Sequence, residues 1–191
     1  MALNLDLDAL TAQERYKLLK AVVVPRPTAW VATVNVNVIE NAAPYFFNMF
    51  GQDSANVILG LEHRVDGMAK DAERNLDATG EFVVNIVIPD LLEGMVGSAA
   101  VYASDEGEPE ALGLKLAPSA KVTPPRLADA PVAIECVRMF ALSLSSERSI
   151  MLGCAVGLAA RDGLIDAKKI YVDWVDDYPV ARLFAYQIGA T

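Results

Sequence analysis

Residues 132–144 and 150–160 carry the strongest folding instruction in this chain. In the first stretch Val132, Ile134, Cys136, Phe140, Leu142 and Leu144 hold the even positions, with Arg138 the one polar interruption. In the second, Ile150, Leu152, Cys154, Val156 and Leu158 alternate with the small residues Gly153, Ala155, Gly157 and Ala159. A two-residue period over that length belongs to antiparallel strands with one buried face. The small stripe predicts that another element packs against the second strand at short range. Residues 145–149 join the two strands as a hairpin loop.

Shorter pieces make up the rest. Thr11 and Glu14 have capping-box spacing, so a helix follows to about Lys20 and ends at Pro25 and Pro27. Strands are predicted over 30–34, 39–47, 57–61, 82–88 and 180–188, with a turn at 35–37, where asparagine tolerates left-handed backbone. Gly67 breaks the chain before a helix over 69–79, which Gly80 caps. Pro89 starts a helical turn through residue 96, residues 97–110 read as an exposed acidic loop, and Pro124 and Pro125 make a further break. Many strands with only peripheral helices predict a mainly β chain, a closed antiparallel barrel with helical additions. No linker divides residues 1–191, so we expect one domain, with 1–10 as an N-terminal arm.

Composition narrows the function. No apolar run approaches the roughly 20 residues of a spanning helix. The acidic start lacks the basic flank of a signal peptide, so a soluble, cytoplasmic chain away from membranes is expected. A formal net charge of -9 without any basic run argues against a nucleic-acid partner. Cys136 and Cys154 read as buried reduced thiols rather than a disulfide. With His63 the only histidine, neither a metal site nor a Ser-His-Asp triad is expected.

The chemistry concentrates between Asn41 and Asn75. A rigid Ala43-Pro44 turn precedes the rings of Tyr45, Phe46, Phe47 and Phe50, and Lys70 stands where a helix begins. Flat rings beside a cationic helix start suit a ligand with a planar ring at one end and a phosphate at the other. On a strand Tyr45 and Phe47 share one face and Phe46 the other, and either set is core packing or a ring platform. Lys70 is either a solvated surface lysine or a phosphate ligand. Asn48 and Asn75 either orient a polar edge or cap turns.

Six motifs occur in order: Pro25-Arg26-Pro27-Thr28-Ala29-Trp30, Asn41-Ala42-Ala43-Pro44-Tyr45, Lys70-Asp71-x-x-Arg74-Asn75, Thr79-Gly80-Glu81-Phe82-Val83-Val84-Asn85, Ser119-x-Lys121-Val122-x-Pro124-Pro125-Arg126 and Ala130-Pro131-Val132-Ala133-x-Glu135-Cys136. Together they resemble the flavin reductase-like family of FMN-binding split barrels, over roughly residues 15–185. The resemblance implies an antiparallel six-stranded split β-barrel, a homodimer, and FMN at the barrel edge near the dimer interface. It implies that Ala43, Pro44, Tyr45, Phe46, Phe47 and Asn48 line the ring system and ribityl chain. Lys70, Asp71, Ala72 and Asn75 then lie at the phosphate end, with Arg26 and Thr28 completing the cofactor-binding set. The implied activity is that of an FMN-dependent oxidoreductase, most simply an NAD(P)H-dependent flavin reductase passing hydride from nicotinamide to FMN. The flavin carries the chemistry, so no catalytic side chain and no metal are expected. A non-catalytic flavin carrier or sensor of the same fold is the alternative, and a related barrel holding haem a third.

Three departures stand out. Phe46 directly follows Tyr45 where the family has serine, Ala72 replaces a threonine, and Arg182-Leu183-Phe184 stands where the family has Arg-Leu-Gly-Gly. A hydrogen bond to a charged group is worth about 1.5–3 kcal/mol. Two missing hydroxyls thus remove about 3–6 kcal/mol unless Thr28, Asn48, His63 or Arg74 compensates, with His63 either a polar loop residue or a proton donor toward reduced flavin.

Overall fold

The long hairpin forms, and it closes a barrel. A computed structural model describes residues 3–51, 55–63, 68–100, 102, 106–174, 178–183 and 188–190. Six strands build the barrel: β1 (Arg26–Val34), β2 (Glu40–Phe50), β3 (Asn56–Glu62), β4 (Glu81–Ile86), β5 (Val132–Ser145) and β6 (Arg148–Ala160). They run antiparallel in the order β1-β2-β3-β6-β5-β4, and β4 pairs back onto β1 from Ala29↔Ile86 to Ala32↔Val83. A further strand, β7 (Val180–Arg182), lies outside the closed ring on the first residues of β1, and β8 (Ile188–Ala190) pairs with β7. Among the described residues four α-helices decorate the barrel: α1 (Ala12–Val22), α2 (Asp71–Thr79), α3 (Leu92–Gly97) and α4 (Glu108–Ala111).

The barrel interior is filled by Val31, Leu59, Phe82, Val84, Cys136 and Met151, all essentially buried. Burial pushes the Cys136 thiol up to about 12, so it stays protonated, and both cysteines are free thiols. The inward face of β6 is the small one. A Cβ on Gly153 would meet the Phe82 ring at 2.5 Å, so the absence of a side chain there admits that ring. Of the large even-numbered residues of β6, Val156 and Leu158 are exposed, whereas Leu152 is buried. Register shifts break the simple alternation of the hairpin: β6 carries an extra residue, Val156, opposite Glu135 and Cys136, and β5 carries the extra residues Met139 and Leu144. Beyond Val137, β5 keeps β6 as its sole barrel partner, and Met139, Phe140, Leu142 and Leu144 are each more than half exposed.

Two buried polar side chains stitch the crossover before β5 to the barrel. Asn85 donates to the Trp30 carbonyl at 3.0 Å and accepts from the Leu127 N–H at 2.9 Å. Glu135 accepts from the Ala120 and Lys121 N–H groups at 2.9 and 2.6 Å. A second apolar cluster around Trp30, Val87, Met95 and Leu127 packs α3 and this crossover against the outside of the barrel.

Several boundaries differ from the sequence reading. The Thr11–Glu14 capping box forms, but α1 continues to Val22. β1 begins at Arg26 rather than residue 30, because Arg26 and Pro27 find partners in β7. In the β1–β2 turn the left-handed residue is Val38 (φ 64°) rather than an asparagine. Asn35 instead shapes that turn through its side chain, accepting from the Asn37 and Ile39 N–H groups at 2.8 and 3.0 Å. Gly80 caps α2 in the left-handed conformation as expected. The acidic loop at 97–110 is not wholly exposed, since Glu108 and Pro109 of α4 are buried. Gly67 and residues 184–187 of the expected strand lie outside the described residues. Among the described residues no helix is long and apolar enough to cross a membrane.

Candidate functional site

Two adjoining clefts open where β1, β2, β3 and the start of α2 meet. The larger encloses about 760 Å³ between Ala43, His63, Asp71, Ala72, Tyr102 and Glu108. The smaller, of about 220 Å³, lies among Tyr16, Arg26, Thr28, Phe46 and Arg182. Pro44, Tyr45, Glu62 and Lys70 face both and form the common wall. The larger volume falls within the roughly 300–1,000 Å³ of small-molecule sites.

Lys70 occupies the N-cap of α2 in extended conformation, and no side chain caps the helix. The first-turn N–H groups are therefore left without intrahelical acceptors beside the cleft, where the helix dipole favours an anion. The Lys70 ammonium makes no ion pair or hydrogen bond among the described residues. Asp71, which would oppose an anion, is drawn toward Arg74 in an ion pair, and Arg74 also donates to the Ala69 carbonyl at 2.8 Å. Ala72 is 1% exposed and packs on Leu76 and the barrel interior.

A buried relay runs beneath the larger cleft. Asn75 donates to the Thr33 hydroxyl at 3.0 Å, Thr33 donates to Asn41 at 3.3 Å, and the Asn41 amide donates to both Glu108 oxygens at 2.7 and 2.8 Å. The Ala42 N–H adds a third bond to Glu108 at 3.2 Å. Every donor in this chain points toward the carboxylate, so the polarisation is cooperative. Burial raises the Glu108 pKa, with the Ala42 and Asn41 bonds acting against it. Gly107 lets α4 dock, because a Cβ there would lie 2.4 Å from the Glu40 carbonyl oxygen.

His63 is held from both ring nitrogens. Its Nδ1 lies 2.6 Å from the Ser146 carbonyl and its Nε2 lies 3.1 Å from Glu73. Glu73 also accepts from the Ser149 hydroxyl at 2.5 Å. Two acceptors favour the doubly protonated imidazolium, and the Ser146 bond, followed by the Glu73 charge, raises the His63 pKa. Burial pushes the Tyr45 phenol up as well, so it is a neutral hydroxyl throughout the physiological range.

Nine of the residues expected to hold a cofactor border the two clefts: Arg26, Thr28, Ala43, Pro44, Tyr45, Phe46, Lys70, Asp71 and Ala72. Phe47, Asn48 and Asn75 do not. Phe47 lies on the face of β2 shared with Tyr45 and packs against the barrel interior, bordering a separate apolar cavity beside Trp174. Asn48 is exposed and accepts from the Met49 N–H at 2.9 Å. Asn75 is 7% exposed and belongs to the relay. Glu62, Glu108 and Arg182 join the clefts without having been singled out for them. Glu108 sits in a stretch that reads as acidic loop, and only its placement between Gly107 and Pro109 hints at a docked turn.

No family model matches the chain. It is 40% identical over 176 residues to an uncharacterized protein of Deinococcus radiodurans, covering 89% of this chain and 77% of that one. Among solved structures it is similar to the 2-nitrobenzoate 2-nitroreductase NbaA of Pseudomonas fluorescens, with 33% identity and a TM-score of 0.90 over 99% of this chain and 92% of that one. It also matches nitrilotriacetate monooxygenase component B of Bacillus cereus, with 25% identity and a TM-score of 0.91 over 100% and 96% of the two chains. With its closed six-stranded barrel and these relatives, the chain belongs to the flavin reductase-like family of FMN-binding split-barrel proteins.

Proposed function

We propose that this protein is an FMN-dependent oxidoreductase, most simply an NAD(P)H-dependent flavin reductase. The observation that carries the reading is the free ammonium of Lys70 at an uncapped helix N-terminus, on the wall of a cleft that also contains Pro44 and Tyr45. That donor set fits a flavin mononucleotide: a cation and the first-turn N–H groups of a helix for the phosphate, and a proline–aromatic wall for a flat ring. When bound, FMN supplies the hydride acceptor and the electron relay.

The residues contribute placement. Lys70 and the first turn of α2 hold the phosphate end. Pro44 and Tyr45 set the plane of the ring and exclude water, while the Glu108 relay fixes the β2 backbone at Asn41 and Ala42, just before that wall. His63, held between the Ser146 carbonyl and Glu73, borders the same cleft, and both partners favour its protonated form. The exposed apolar residues Phe140, Leu142, Leu144 and Leu158 support a homodimer, since a patch of this kind on a lone chain is costly in water.

The test is the visible spectrum of freshly purified protein, then titration with FMN and addition of NADH or NADPH. Flavin bands that bleach on adding reduced nicotinamide support the reductase. Flavin bands that persist favour the carrier reading, which draws on Phe46 and Ala72 lacking hydroxyls. A protein that takes up no FMN sinks both.

A further inference from the structure

We propose that Arg26 and Arg182 form a subsite for the anionic group, a carboxylate or phosphate, of a second small molecule that binds beside the flavin. The proposal rests on the reading of the larger cleft as a flavin site.

Arg26 opens β1 and Arg182 closes β7, and the two are direct cross-strand partners, so their side chains leave the sheet on the same side. Like charges directly opposite on antiparallel strands repel and destabilise the pairing. Among the described residues no carboxylate relieves the repulsion. Neither guanidinium has an ion pair or hydrogen bond among the described residues. The Arg26 Nε is buried without any acceptor, and a buried unpaired donor on a charged group is among the costlier defects a fold carries.

Both residues border the smaller cleft, and Lys70 lines it as a third cation. Glu62, the carboxylate on that wall, is directed to Arg148 at 3.7 Å. Three cations thus converge in a chain whose formal net charge is -9. An oxyanion seated there meets the planar donor fork that suits carboxylate and phosphate.

Size assigns the occupant. About 220 Å³ is below the roughly 300–1,000 Å³ of sites that enclose a whole cofactor, so the subsite takes a headgroup or a single ring. Tyr16 and Phe46 give it flat apolar walls, and Pro44 and Tyr45 separate it from the larger cleft. A molecule anchored by its anion at Arg26 and Arg182 thereby lies against the same wall as the flavin, from the other side.

The experiment compares wild type with Arg182→Gln and Arg182→Lys. Calorimetry measures the binding of benzoate, NADH and NADPH, and quenching of flavin fluorescence measures FMN. Thermal melting confirms folding of each variant. Arg182→Gln should weaken benzoate or NADPH about tenfold or more, leave FMN and NADH within about threefold, and be partly rescued in Arg182→Lys. Loss of benzoate identifies an acidic aromatic substrate, and loss confined to NADPH identifies the extra phosphate of the dinucleotide. The proposal is overturned if neither probe binds wild type, if both bind the variant unchanged, or if FMN weakens as much as the probes. If wild type fails to bind FMN while benzoate still depends on Arg182, the flavin reading falls and the anion subsite stands.

Discussion

Replacing Lys70 by methionine removes the ammonium and keeps most of the aliphatic stem. Among the described residues that ammonium touches no acceptor, so the folded protein loses little, within about 0.5 kcal/mol. A bound phosphate, by contrast, loses one charge-assisted hydrogen bond worth about 1.5–3 kcal/mol. That difference corresponds to a weakening of FMN binding by about tenfold to a hundredfold. Titrating FMN into each protein and following the quench of its fluorescence gives the two dissociation constants. A thermal melt beside it checks that the variant is folded. The gap between the two proteins should also narrow as salt is raised, because the lost term is electrostatic. An unchanged dissociation constant in a folded Lys70→Met protein would refute the assignment of the phosphate to this helix start. A large drop in melting temperature would refute it differently, by showing that Lys70 holds the fold together.

Gly153→Ala should destabilise the protein by about 1–3 kcal/mol, because the added methyl meets the buried Phe82 ring and outweighs the roughly 0.5–1 kcal/mol a strand gains on losing a glycine. Chemical denaturation measures this, and a stabilised variant would contradict the packing. The raised pKa of His63 means that its stabilising contribution is complete below the ordinary histidine value of about 6.5 and is lost as pH rises through the folded value. Wild type should therefore melt lower on crossing that window while His63→Asn varies less, and parallel pH profiles would remove the His63–Glu73 pairing from the account. Leu142→Glu should convert a dimer to a monomer in analytical ultracentrifugation, and a wild-type protein already monomeric would remove the proposed interface.

The barrel was legible because its signals are local. Alternation, two prolines and a capping box place β1, β5, β6 and α1 to within a few residues. The face of β6 was harder. The small stripe announces a close neighbour but not which one, because the ring of Phe82 that packs on Gly153 comes from a strand about seventy residues earlier. Exposed Phe140 and Leu142 read as core, since a sequence pattern does not distinguish an interior from a surface that another chain covers. Much of the family signature turned out to serve architecture: Asn85 and Glu135 tie the crossover down, and Asn75 feeds the relay to Glu108. The aromatic run divided as strand geometry requires, with Tyr45 and Phe47 inward and Phe46 outward. Arg26 and Arg182 are far apart in sequence and meet only through the β1–β7 pairing.

That pairing bears on how the protein is made. The smaller cleft draws on Tyr16 near one end of the sequence and Arg182 near the other, so no partial product on the ribosome can assemble it. The six barrel strands are all synthesised by Ala160, and a hydrophobic interior can collapse before β7 emerges. The anion capture proposed at the Arg26–Arg182 seam is thus reserved for chains that have been translated through residue 182, after every barrel strand has been made.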